Sequence, residues 1–110
     1  LEWVHVDDEF HALGSIPYKM KMDSDLAQAY VGTAKERKLE ARAIDYHGFP
    51  IDTGSVVVSK LVNPNNKFKS VIVSSNVYSD RAETIVLGKA ARDALERQGK
   101  KAVAIVVSSL

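Results

Sequence analysis

Polar and ionisable side chains gather in the segment Asp45–Ser55, where a Gly-Pro bend separates two regular stretches of sequence. The residues before it are typical of a strand, and Asp52 or Thr53 can cap the segment that follows. Such a loop, at the carboxyl end of a strand, is where α/β proteins place their ligand-binding groups. His47 can exchange a hydrogen bond with a bound phenol or carboxylate, or it can cap a backbone carbonyl at the bend. Asp52 is better suited to helix capping than to chemistry.

A second polar group near the start of the chain, His5-x-Asp7-Asp8-Glu9-x-His11, carries the ligand types of a non-haem iron site. The spacing argues against a shared ion, because residues six apart lie on opposite faces of a helix and only a tight loop would bring them together. The sequence therefore predicts a solvated acidic loop with two surface histidines. It predicts no metal site and no catalytic residue within residues 1–110.

Apolar periodicity and capping signals predict two long helices. The first runs from Asp23 or Ser24 to about Lys38, with an apolar stripe on one face. The second follows Asp80, whose capping box is completed by Glu83, and stops at Gly99. It is expected to bury one apolar face, made of Ile85, Val86, Leu87, Ala90, Ala91, Ala94 and Leu95.

Between the helices, short β-branched and aliphatic runs predict strands. They lie at Tyr18–Met22, Leu39–Asp45, Phe68–Ser74 and Lys101–Val107. The last is apolar on both faces, as in a central strand covered by helices, and pairing of the last two predicts a right-handed crossover. Residues 55–62 are ambiguous, because three consecutive valines suggest a buried strand whereas the preceding residues suggest a helix cap. The alternation of helix and strand indicates an α/β fold.

Composition excludes several classes of protein. The chain has 110 residues, a net charge of +1 with both signs interspersed, and no cysteine. A nucleic-acid surface would carry a basic patch, and disulfides or thiolate metal sites need cysteine. The absence of cysteine fits a cytoplasmic protein, and no apolar run is long enough to span a bilayer.

The order of turn, strand, long helix and aliphatic strand resembles the class III extradiol ring-cleavage dioxygenases of the protocatechuate 4,5-dioxygenase type. The resemblance runs from about Val4 to Leu110, and it is most similar to subunits that act on 2-aminophenol. It implies a three-layer α/β sandwich in which a mixed, mostly parallel sheet is flanked by helices. Residues 1–110 would then be the central part of a single domain, truncated at both ends.

In this family two histidines near the N-terminus and a late glutamate hold Fe(II), and the resemblance implies that all three lie outside residues 1–110. Leu110 matches the leucine of a Leu-Ser-His-like turn that carries the acid–base histidine. Where catalytic subunits have Asp-Tyr-Gly-Thr, with the tyrosine facing substrate, this chain has Asp52-Thr53-Gly54-Ser55. Thr53 and His47 are therefore the candidate substrate-binding residues. The change from tyrosine to Thr53 favours the non-catalytic, alpha-type companion subunit.

The resemblance thus predicts a subunit of a cytoplasmic iron dioxygenase that cleaves the ring of 2-aminophenol or a related catechol with O2. Its partner would be the catalytic subunit, in a hetero-oligomer such as a heterotetramer, with no nucleic acid and no membrane. Two alternatives stay open. One is a catalytic subunit with an altered pocket, and the other is a non-enzymatic α/β interaction module.

Overall fold

The computed structural model describes residues 2–5, 18–44, 51–74 and 78–108. Their regular elements are, in chain order, β1 (Glu2–His5), β2 (Tyr18–Lys21), α1 (Ser24–Glu36), α2 (Thr53–Val62) and α3 (Arg81–Gln98). They divide into two compact units. Unit 1 contains residues 2–5, 18–23, 51–70 and 105–108, and unit 2 contains residues 24–44, 71–74 and 78–104. None of the helices in these ranges is both long and apolar enough to cross a membrane.

Unit 1 is built on the strand predicted at Tyr18–Met22, which the structure confirms as β2. It pairs antiparallel with β1, Glu2 opposite Lys21 and His5 opposite Tyr18. Side chains of β2 alternate between buried and exposed, as the two-residue period of a strand requires. Tyr18 and Met20 point inward and form a small core with Ile51 and Val56.

The ambiguous segment of three valines is a helix, α2, in which only Val56 is fully buried. β-branched residues disfavour helices only slightly, so a good cap and one buried contact face are enough to decide the structure. At its other end, Asn63 is the C-cap, and its N–H donates to the carbonyl of Ser59. The helix therefore begins and ends at polar residues that satisfy its free backbone groups.

Unit 2 is built on the two predicted long helices, α1 and α3. The Tyr30 hydroxyl donates to the carbonyl of Leu87 at 3.0 Å, and the Thr33 hydroxyl donates to that of Ala90 at 2.7 Å. Because positions later in α1 meet positions later in α3, the two helices run parallel. Their contact face is lined by small residues, since Ala34, Ala90 and Ala94 are almost completely buried.

Two ion pairs continue this parallel alignment toward the C-terminal ends of the helices. Arg37 contacts Asp93 through Nε at 2.8 Å and through a terminal guanidinium nitrogen at 2.6 Å. Arg97 forms a two-pronged pair with Glu36 at 2.8 and 2.6 Å. The Glu36–Arg97 pair is more than half exposed, so it contributes less to stability than its geometry suggests.

The predicted ends of α3 are confirmed. Asp80 accepts a hydrogen bond from the N–H of Glu83 at 2.8 Å, and the Glu83 carboxylate accepts one from the N–H of Asp80 at 3.1 Å. This is the reciprocal capping box. Gly99 adopts a left-handed conformation with φ of 61° and ends the helix. The predicted buried face is narrower than expected: Ala90 and Ala94 are fully buried, whereas Ile85 is half exposed.

Three predicted strands are not strands in the described part of the chain. Residues 39–44 and 101–108 carry neither helix nor strand pairing, and in 68–74 the only pairing is a single parallel bridge between Ser70 and Met22. The apolar residues of these segments stay largely exposed, with Val103 at 87%. β propensity measures the fit of a side chain to a pleated surface, so without neighbouring strands it stabilises nothing. The crossover and the parallel sheet accordingly remain predictions.

Candidate functional site

The predicted turn is described from Ile51 onward, where it enters α2. Asp52 is in an extended conformation, and its Oδ1 accepts a hydrogen bond from the N–H of Ser55 at 2.8 Å. Its carbonyl accepts the first helical bond, from Val56 at 3.1 Å. The prediction that Asp52 caps the Thr53–Val62 segment is therefore confirmed. The Asp52 carboxylate is therefore already hydrogen-bonded to the N-terminus of α2.

Gly54 lies where the last described residues of unit 1 approach the turn. A Cβ atom at this position would overlap Cγ1 of Val107, so the valine methyl occupies the space that any larger residue would need. Ile51, directly before the Asp52 cap, is buried in the core of unit 1. The start of α2 is thus fixed by the cap, by the buried Ile51 and by the contact with Val107.

The two predicted substrate-binding residues have different outcomes. Thr53 is the first residue of α2, and it is partly buried beside the Asp52 cap. The cap itself is Asp52, which leaves the Thr53 hydroxyl without a capping role. His47 lies outside the described residues, as does the rest of the bend from 45 to 50. A shared role for Thr53 and His47 stays a prediction.

The acidic histidine segment is described only at its first residue. His5 is in β1, where its backbone pairs with that of Tyr18, whereas residues 7–11 lie outside the described residues. Within the ranges that the structure describes, no three histidine or acidic side chains come together in a way that could hold a metal ion. These ranges therefore give Fe(II) no donor set, and no chemical step can be assigned to an iron there.

The sequence did not reveal the bonds of Asn63, a buried polar residue at the end of α2. Its side-chain amide donates to the carbonyl of Phe68 at 2.9 Å, and its side-chain oxygen accepts from the N–H of Phe68 at 3.1 Å. Its own carbonyl accepts from the hydroxyl of Tyr18 at 2.9 Å. The signal was present, because an asparagine between an apolar run and a proline is typical of a turn that bonds to its own backbone.

Comparison with known proteins shows that this chain is similar to one class of enzyme subunit. The described chain is helix-rich, with a small antiparallel strand pair and a polar turn fixed at the start of α2. No family model matches the chain. Three curated proteins do, among them the 2-aminophenol 1,6-dioxygenase alpha subunit of a Pseudomonas species. The two sequences are 35% identical over 108 residues, which cover 97% of this chain and 40% of the relative. The chain thus spans about two fifths of the length of that relative.

Proposed function

We propose that this chain is part of an alpha-type subunit of a class III extradiol dioxygenase that cleaves 2-aminophenol or a related catechol. The observation that carries the proposal is the 35% identity to the Pseudomonas alpha subunit along almost the whole chain. An identity that extends over both units, and is not confined to one short motif, favours common descent over chance. The whole subunit would act in the cytoplasm with a catalytic partner.

The arrangement of the helices supports the α/β sandwich that this family membership implies. Parallel neighbouring helices are what successive strand–helix units place on the same face of a sheet. A parallel bridge joins Met22 to Ser70 next to the antiparallel pair β1–β2, and the proposed mixed sheet would contain both kinds of pairing. The aliphatic segments around Ile72 and Val106 would become strands of this sheet once neighbouring strands pair with them.

The companion role rests on the chemistry of the turn. The carboxylate of Asp52 is engaged as a helix cap, and Thr53 has neither the reach nor the acidity of the tyrosine that catalytic subunits have here. A threonine hydroxyl can donate a hydrogen bond but, unlike a phenol with its pKa of about 10, it does not ionise in water at any accessible pH. In this proposal the subunit shapes the assembly, and Fe(II), which activates O2 and the substrate, is bound outside residues 1–110.

Oxygen uptake distinguishes the three candidate functions. The subunit that carries these residues is purified alone and with its catalytic partner, and O2 consumption is measured with 2-aminophenol and catechol. Activity only in the presence of the partner is expected. Activity of the subunit alone would show that it is catalytic, and no activity in either sample would favour an interaction module.

Substitution of Thr53 tests its role within the assembly. Thr53→Ala is expected to leave kcat and KM per folded enzyme nearly unchanged, and Ser59→Ala, on the same helix, serves as the control. A hydrogen bond to a charged or phenolate group stabilises by about 1.5–3 kcal/mol, so a residue facing substrate would change kcat/KM by about tenfold or more. A loss of that size, with an unchanged melting temperature, would overturn the companion role.

A further inference from the structure

We draw no further inference here: the strongest candidate, the exposed apolar surface patch that Leu61, Val62 and Phe68 form at the end of α2 and in the loop that follows it, carries nothing, because nothing in the described part of the structure shows what covers it.

Discussion

The hydroxyl of Tyr18 donates a hydrogen bond of 2.9 Å to the carbonyl of Asn63, which joins β2 to the C-terminal end of α2 across 45 positions of sequence. Both residues are more than nine-tenths buried. The bond therefore fixes the end of α2 to the core that also holds Ile51, the residue directly before the Asp52 turn. The two ends of α2 are thus positioned by the same small core.

Removing this hydroxyl is expected to lower the free energy of unfolding. Tyr18→Phe should cost about 1 kcal/mol, the usual net contribution of a hydrogen bond, because the Asn63 carbonyl keeps its second bond, from the N–H of Asn66. Tyr30→Phe removes a comparable bond that is only partly buried, to the Leu87 carbonyl, and should cost less. Urea unfolding of both variants at neutral pH measures the difference. A larger loss for Tyr30→Phe would contradict this assignment.

The Tyr18–Asn63 hydrogen bond also predicts that the stability of the chain depends on pH in the alkaline range. Burial raises the pKa of Tyr18, so the folded state holds the phenolic proton more tightly than the unfolded state. The resulting stability is fully present below the unfolded pKa of about 10 and is lost as pH rises through the higher, folded value. The stability gap between the unsubstituted chain and Tyr18→Phe should therefore narrow at strongly alkaline pH. A gap that stays constant in unfolding measured up to that range would argue against ionisation at this site.

In unit 2 the corresponding prediction concerns the dependence of stability on acidic pH. The hydrogen bond from Arg37 holds the pKa of Asp93 below its ordinary range, so this carboxylate favours the folded state when ionised. Its contribution is present above the unfolded pKa of about 4 and is lost as pH falls through the lower, folded value. Asp93→Asn should thus melt at a lower temperature than the unsubstituted chain at pH 7, with a smaller difference in strong acid.

A matched control is available on the same helix. The Glu96 carboxylate lies 3.6 Å from the guanidinium of Arg92, in a pair that is about two-thirds exposed, so Glu96→Gln should change the melting temperature little at either pH. An equal effect of Asp93→Asn at pH 7 and in strong acid would show that packing, and not the charge, accounts for the contribution of Asp93.

Helix ends were predictable from the sequence because their signals are local. The cap at Asp52, the capping box at Asp80 and the left-handed Gly99 each depend on residues within one turn of the position that they specify. The same holds for the strand at Tyr18–Lys21, whose alternation matches its burial. The order of these elements along the sequence was also enough to reveal the resemblance to the dioxygenases. The match to the Pseudomonas alpha subunit agrees with that resemblance.

Strands and side-chain networks were less predictable because they depend on distant partners. The three valines and the isoleucine of 101–108 have high β propensity, yet the described chain offers them no neighbouring strand. The bond from Tyr18 to Asn63 was missed for a related reason. Nothing near either residue in sequence indicates the other.

The cap at the start of α2 should be replaceable by a residue of similar shape. Asp52→Ala removes the acceptor for the Ser55 N–H and is expected to lower the free energy of unfolding by about 1 kcal/mol. Asp52→Asn keeps an acceptor oxygen and should recover most of that loss, because asparagine caps helices about as well. Thermal unfolding of both variants tests this. An Asp52→Asn variant as unstable as Asp52→Ala would mean that the negative charge itself is required.

Alanine substitution at two helical glycines should change the stability of the chain in opposite directions. At Gly88, inside α3, an added Cβ would meet no atom within 4 Å apart from its chain neighbours and the adjacent backbone of the helix, so Gly88→Ala should stabilise the chain by about 0.5–1 kcal/mol. At Gly54 the same methyl group would overlap Val107, and Gly54→Ala should destabilise by about 1–3 kcal/mol. In the double variant Gly54→Ala/Val107→Ala the overlap is removed. Its loss of stability should therefore be smaller than the sum of the losses caused by the two single changes. Urea unfolding of the four proteins in this cycle gives the coupling. Strict additivity would show that residues 105–108 do not rest on the turn, and that the Asp52 cap and Ile51 alone hold it.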